Sequence, residues 1–339
     1  MDKFLGIIVC FGIALLANFL GIFLPIVGGP VFAILLGMLI GLFWKNKGKA
    51  SDGIKFTSKK ILQWAVILLG FGMNLNVVLK TGKQSFPIIL ATITTSLLLA
   101  FLVHKIFKIP GKISTLIGVG SSICGGSAIA ATAPVINADD EEVAQSISVI
   151  FFYNVLAAIL FPVLGKFLGF DTLSGKAFGI FAGTAVNDTS SVTAAASTWD
   201  SMWNLGSQTL DKAVTVKLTR TLAIIPITLI LAIIQTKKEK SDMQNKVSLK
   251  KIFPFFILWF ILASVITTIA VNLGVSSMFF APFKKIIKFM IVMAMSAIGL
   301  NTDIVKLVKT GGKPLLLGAV CWLGITIVCL IMQFLLGAM

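Results

Sequence analysis

Residues able to bind an ion are concentrated at three points of an otherwise apolar chain. The first is the stretch GSSICGGSAIAATAP at 120–134, where small and hydroxyl side chains replace bulky apolar ones. A glycine pair permits an unwound turn, whose exposed N–H and C=O groups need polar partners that lipid cannot supply. A half-helix starting at Ser127 would direct its positive end toward such a break, which favours an anion. The alternative is that the small residues only permit close packing of helices. The substrate-binding candidates in this stretch are Ser121, Ser122, Cys124, Gly125, Gly126 and Ser127.

The second point is Asp188, in the segment GTAVNDTSSVTAAAS. A carboxylate in hydrocarbon must be paired, hydrated or protonated, so it could carry a coupling proton or share an ion with a neighbouring amide. The alternative is a structural salt bridge to a buried cation. The ion-coupling candidates are Asp188, Asn187, Thr189 and Ser190.

The third point is Arg220, the sole arginine of the chain, with Lys217 three positions earlier on the same helix face. A guanidinium binds oxyanions through two parallel N–H groups, which predicts a substrate-binding role for both cations. Their competing interpretation is the ion pair with Asp188. Counted from the predicted span ends, all three points lie about twelve residues, or about 18 Å, into the membrane, so we expect them to share one depth.

The composition predicts a polytopic membrane protein whose 339 residues form a single all-α domain. The chain is 57% hydrophobic and 12% charged, with a mean hydropathy of +1.00. The formal charge of +16 comes from lysines between apolar runs, which is typical of a topology signal rather than of nucleic-acid binding. The four cysteines show no metal-ligand spacing, and we expect no disulfide. The sequence has no catalytic set, metal cluster or nucleotide loop, so we expect neither an enzyme nor a bound metal or cofactor.

Apolar runs predict about eleven transmembrane helices, at least one of them discontinuous. The lysine distribution predicts a cytoplasmic N-terminus and an external C-terminus in the cell membrane. The acidic cluster Asp139–Glu142 then falls outside, whereas Lys112, Lys166 and Lys176 fall inside. The predicted spans are 4–24, 29–44, 60–80, 86–104, 112–138, 142–166, 175–198, 208–236, 252–273, 281–305 and 312–337.

An internal repeat relates the third and tenth spans. Lys59–Asn76 aligns without gaps on Lys284–Asn301, and both copies continue to a Lys-Thr-Gly, so the repeat-related helices are 59–82 and 284–311. The third and tenth spans are an odd number of membrane crossings apart, so they run in opposite directions. This predicts an inverted-topology repeat of the kind that secondary transporters use for alternating access, although two lysine-flanked apolar helices can also align by chance.

Three motifs resemble the YeiH-type family of bacterial inner-membrane proteins, which is labelled as sulfate exporters. They are GSSICGGSAIAATAPVI, GTAVNDTSSVTAAA and AVTVKLTRTL, and the resemblance runs over essentially the whole chain. It implies a fold similar to that of cation:proton antiporters and bile-acid symporters, with inverted repeats and broken helices that cross at the midplane. In that superfamily the crossing helices are antiparallel, whereas the span count makes 112–138 and 175–198 parallel. Either one span is re-entrant or 175–198 is not the second crossing helix.

These observations predict a secondary active transporter of a small anion, such as sulfate or an organic sulfonate or carboxylate. We expect an exporter coupled to protons or sodium. The alternatives are a passive anion channel and a sodium-coupled organic-acid symporter. The expected partners are the anion, the coupling ion, the lipid bilayer and, as an open alternative, a second copy of the chain in a homodimer.

Overall fold

The computed structural model describes residues 2–24, 28–73, 75–238, 255–276, 279, 281–302 and 312–338. These residues form helices and connecting turns, without a β-strand. Two segments considered from the sequence lie outside the described residues. They are the second Lys-Thr-Gly of the predicted repeat, at 309–311, and residues 239–251, which are most of the lysine-rich connection between the predicted spans 208–236 and 252–273.

In the described residues, the first half of the chain contains five α-helices before the first hairpin. They are α1 (Asp2–Phe23), α2 (Gly28–Phe43), α3 (Ser51–Phe56), α4 (Leu62–Leu69) and α5 (Leu75–Phe107), and the π-helical turn Thr57–Ile61 joins α3 to α4. The helices α6 (Gly111–Ser122) and α7 (Gly126–Thr132) flank a break, and α8 (Asp140–Phe167) follows.

The second half begins with another broken pair. It comprises α9 (Lys176–Ala185), α10 (Thr189–Met202), α11 (Gln208–Thr221), α12 (Ile224–Lys238), α13 (Phe255–Asn272), α14 (Ala281–Asn301) and α15 (Gly312–Leu335). Among the described helices, five are long and apolar enough to cross a membrane by length and composition. They are Lys3–Phe23, Leu75–Phe107, Glu141–Phe167, Phe255–Asn272 and Gly312–Leu335.

The pair α6–α7 is a hairpin and not one continuous span; we call it hairpin I. Its two feet, the start of α6 and the end of the turn that follows α7, are in contact. Lys112 Nζ donates to Asn137 O at 2.7 Å and forms an ion pair with Glu142 Oε2 at 3.7 Å. The placement of Lys112 inside and the acidic cluster outside is therefore wrong. The cluster instead starts α8 as a capping box, in which Asp139 Oδ1 accepts from Glu142 N at 2.8 Å.

The pair α9–α10 is a second hairpin, hairpin II. Phe178, near its entry, stacks on Trp199, near its exit, with ring centroids 4.2 Å apart. Beside them, Asp200 accepts from the N–H of Thr209 at 2.9 Å, and Gly175 packs so closely on Thr209 that a Cβ would clash. Both feet of hairpin II therefore lie where α11 begins. Lys176 thus lies on the same side as Lys212 of α11, whereas the predicted spans 175–198 and 208–236 place Lys176 inside and Lys212 outside, so that separation is also wrong.

The helix α8 sets the distance between the two hairpins. It starts at the feet of hairpin I, ends just before the feet of hairpin II and has 28 residues, about 42 Å at the helical rise. The 12 residues of α6 and the 10 residues of α9 reach about 18 Å and about 15 Å inward. The hairpins therefore enter from opposite ends of the bundle, and their tips meet near its middle.

The helices α4 and α14, which carry the predicted repeat, pack side by side in opposite directions. Phe71, just beyond α4, stacks on Phe283 at the start of α14, with centroids 6.3 Å apart, while Ile54 in α3 shares a cluster with Ala297 near the end of α14. The helix α14 also packs against α2 at backbone contact, because a Cβ on Gly37 would lie 2.4 Å from Ser296 O. Such glycine contacts replace the missing hydrophobic driving force between helices in lipid.

Candidate functional site

The tips of the two hairpins form the candidate site. Tip I is Ile123–Gly125 and tip II is Val186–Asp188. Gly125 has φ +70° and ψ −133°, and a Cβ there would lie 3.2 Å from Asp188 Cβ. Only glycine adopts this backbone without strain, so the glycine lets the tips approach. Gly126 has no positive φ, so one glycine of the pair carries the turn.

Lys217, on α11, is completely buried behind the tips and links them. Its Nζ donates to Ile123 O of tip I at 2.8 Å, to Val186 O of tip II at 3.1 Å and to Asn187 O at a still shorter distance. An ammonium has three donors, so all three are occupied in this conformation. Direct contact between Lys217 and an anion would require the tips to separate.

Arg220 lies one turn further along α11 and is also completely buried. Its Nη1 donates to Thr184 O, and its Nη2 donates to Val186 O at 2.6 Å and to Asn187 O at 3.4 Å. These carbonyls are the last acceptors of α9, where a helix carries partial negative charge. Both cations therefore cap the carboxyl ends of the half-helices that precede the tips.

Asp188 does not pair with either cation. Among the described residues, neither Lys217 nor Arg220 forms an ion pair with its carboxylate. Asp188 is instead the N-cap of α10, where Oδ2 accepts from Ser190 N at 3.2 Å and from Ser190 Oγ at shorter range. The structural salt bridge considered from the sequence is thus not formed in this conformation.

Asn154, in the middle of α8, holds tip II; from the sequence it is not among the site candidates and is interpreted only as a capping or interhelical hydrogen bond. Its Oδ1 accepts from the N–H of Asn187 at 3.2 Å and from the N–H of Asp188 at 3.3 Å. Its Nδ2 lies on the other side, 3.4 Å from the position of a Cβ on Gly125.

A cavity of about 320 Å³ opens beside the tips. The polar part of its lining comprises Asp188, Thr189, Ser190 and Asn154, the residues Gly126 and Ser127 at the start of α7, and Ser58, Lys59 and Gln63. The rest of the lining is apolar and comprises Leu62, Val66, Ile147, Ile150, Phe151, Phe256 and Ile298. This is the usual make-up of a small-molecule site, apolar with a few polar groups that orient the ligand.

The other predicted site residues lie behind the cavity wall. Ser122 Oγ donates to Val119 O at 3.0 Å within its own helix, and Cys124 is buried. Among the described residues, Ser121 Oγ and both amide atoms of Asn187 are buried without a hydrogen-bond partner. An unsatisfied buried polar group costs about 1–3 kcal/mol, so these groups are available to an ion or a water molecule.

The described charges near the tips balance before the amino ends of the helices are counted. Lys217 and Arg220 contribute two positive charges, and one carboxylate together with the carboxyl ends of two half-helices, each about half a negative charge, offsets them. The amino end of the 14-residue helix α10 faces the cavity and adds positive potential. The helix α7 has only seven residues, so the dipole predicted at Ser127 is short.

The chain has relatives along its whole length. A UPF0324 membrane protein of Streptococcus mutans is 63% identical over 339 residues, which cover 99% of this chain and 98% of the relative. A UPF0324 membrane protein of Fusobacterium nucleatum is 57% identical over 347 residues, which cover 99% of both chains. The family model described as Conserved hypothetical protein 698 matches residues 5–318. Together with the apolar helices, these matches show that the chain is a membrane protein and belongs to the Conserved hypothetical protein 698 family.

Proposed function

We propose that this protein is a secondary active transporter of a small anion, an exporter coupled to protons or sodium. The observation that carries the proposal is the meeting of two hairpin tips from opposite ends of an apolar helix bundle, beside a cavity that is lined by apolar residues and a few polar groups. Irregular backbone at membrane depth is tolerated where it is buried in protein or lines a water-filled cavity. In secondary transporters such segments form the substrate and ion sites.

The amino end of α10 at the cavity, beside two buried cations that offset the negative groups of the tips, supports an anion as the substrate. Ser127 and Thr189 border the cavity, where their hydroxyl groups could donate to oxyanion oxygens, and Lys59 is a further cationic group of the lining. In this account Lys217 and Arg220 supply fixed charge from behind the tips. They would reach the anion directly only in a conformation with separated tips. Sulfate, organic sulfonates and carboxylates fit this chemistry, in agreement with the resemblance to the YeiH-type family.

The coupling ion is assigned to Asp188. Its carboxylate borders the cavity, and protonation would remove the one negative side chain at the tips. The positive potential of the site would then rise, so an anion and a proton would bind together and move in the same direction. Export of the anion would therefore carry a proton outward with it. The unpartnered amide of Asn187 is the next group available to a cation.

An inverted repeat would give this site its alternating access. The helix α5 packs along hairpin I, where Ser96 Oγ donates to Gly118 O at 3.0 Å. The helix α15 packs along hairpin II, where Gln333 Nε2 donates to Ala177 O at 2.9 Å. Each end of the bundle would then have one hairpin and one supporting helix. Together with the antiparallel pair α4 and α14, this is the arrangement of an inverted repeat, which secondary transporters use for alternating access.

Two hairpins in place of two crossings leave the parity of the chain unchanged. The termini therefore remain predicted on opposite faces, with the N-terminus cytoplasmic. The lysines of 45–60 and 105–112 stay on the cytoplasmic face, and the acidic cluster joins them there.

Flux in proteoliposomes tests the proposal. We expect the purified protein to move at least one of sulfate, an alkyl sulfonate or a small carboxylate against a gradient of that anion when a proton or sodium gradient is applied. Asp188→Asn should lower this coupled flux at least tenfold. Asp171→Asn is the matched control, because Asp171 lies in the loop before α9, where the N–H of Leu173 lowers its pKa. Unchanged coupled flux in Asp188→Asn would refute the role of Asp188, and flux that only follows the anion's own gradient would identify a passive channel.

A further inference from the structure

Lys217 occupies a position with the ligand set of a monovalent cation site. Its ammonium contacts three backbone carbonyl oxygens, one from tip I and two from tip II, and the side chain is completely buried. Carbonyl oxygens of unwound backbone are the groups that bind sodium at the broken helices of transporters, and carbonyl rings bind dehydrated cations in channels. No acidic side chain takes part in the described contacts of Nζ.

Lys217 hydrogen-bonds to both hairpin tips, and among the described contacts no other side chain of α11 does so. The acceptors come from hairpins that enter from opposite ends of the bundle, so a cation between them stabilises their contact. Val186 O and Asn187 O also accept from Arg220 Nη2, whereas within the described residues the ammonium of Lys217 alone links Ile123 O to α11. Loss of that ammonium would leave a buried carbonyl oxygen of tip I without its donor and would remove the cation that joins the tips.

We propose that the ammonium of Lys217 is a tethered cation that takes the place of a bound sodium ion between the hairpin tips. Closure of the tips is then independent of sodium, and the coupling ion of the proposed transport cycle is the proton. This inference rests on the proposed function for its role in transport. The site itself is tested without any transported substrate.

Two substitutions separate the effect of the positive charge of Lys217 from the effect of the volume of its side chain. Lys217→Ala removes the ammonium and leaves room among the carbonyls, whereas Lys217→Met removes the charge and keeps most of the volume. Lys212→Ala is the matched control on the same helix, because Lys212 Nζ donates to the side chains of Thr81 and Gln84 at 3.1 and 2.9 Å, away from the tips.

The measurement is the midpoint of thermal unfolding in detergent, in sodium chloride and in choline chloride at equal ionic strength. A ligand that binds only the folded protein raises its stability. We expect sodium to raise the midpoint of Lys217→Ala by about 3 °C or more relative to choline. The wild type, Lys217→Met and Lys212→Ala should give the same midpoint in both salts.

Two results would overturn the inference. One is a wild-type midpoint that rises in sodium, which decides the question even if Lys217→Ala cannot be purified. The other is a folded Lys217→Ala protein that responds equally to both salts. Failure of every anion in the flux assay, together with sodium-specific stabilisation of Lys217→Ala, would refute the proposed function and leave the cation site standing.

Discussion

The contact between the hairpin tips predicts opposite effects for two neighbouring glycines. In Gly125→Ala the new Cβ would lie 3.2 Å from Asp188 Cβ, on a backbone with φ +70°. Holding a non-glycine residue in such a conformation costs about 1–3 kcal/mol, and the close contact adds to it, for a total of about 2–4 kcal/mol. In Gly126→Ala the nearest atom, Ile147 Cγ2, would lie 4.0 Å away, so alanine fits and favours α7 by about 0.5–1 kcal/mol.

The assay is thermal unfolding followed by the fluorescence of the six tryptophans. Gly125→Ala should lower the midpoint by roughly 5–15 °C, whereas Gly126→Ala should leave it unchanged or raise it slightly. Because Gly125 contacts Asp188, its substitution should also lower coupled flux in the protein that remains folded. Equal midpoints for the two variants would refute the tip-to-tip contact.

Three further substitutions test the foot of hairpin II, the packing of α2 on α14 and the contact of α8 with tip II. Asp200→Ala removes the acceptor for two N–H groups at the start of α11 and should cost about 1–3 kcal/mol of stability, seen as a lower unfolding midpoint, whereas Asp171→Ala in the exposed loop should have little effect. Gly37→Ala should separate α2 from α14 and lower the midpoint; Gly12→Ala, which has open space for a Cβ, should not, and equal midpoints would refute the packing argument. Asn154→Leu should free tip II and reduce coupled flux at least tenfold, with wild-type flux as the contradicting result.

The depth of the site was predictable because helices have a fixed rise. Gly125, Asp188 and Arg220 were each expected about twelve residues into the membrane, and the structure brings all three to the tips. Hydropathy could not predict the direction of the chain after a break. A segment of two short helices reads the same whether it crosses or returns, so 112–138 and 175–198 were assigned as spans although both are hairpins.

The partners of the buried cations were also beyond the sequence. Arg220 and Lys217 were singled out by residue type, since a buried charge needs a partner. The sequence offered Asp188 as that partner because carboxylates are visible in the sequence. The partners found are backbone carbonyls, which every residue carries and which become available only where a helix ends.

The most direct test of the account is the side of the membrane on which each hairpin begins and ends. Single cysteines at exposed positions, Lys105→Cys, Glu141→Cys, Leu173→Cys and Gln208→Cys, would be introduced after replacement of the four buried native cysteines. Labelling with a membrane-impermeant maleimide in sealed vesicles of known orientation reports the side of each one. The account predicts that 105 and 141 are labelled from one side and that 173 and 208 are labelled from the other. Labelling of 105 and 141 from opposite sides, or of 173 and 208 from opposite sides, would contradict it.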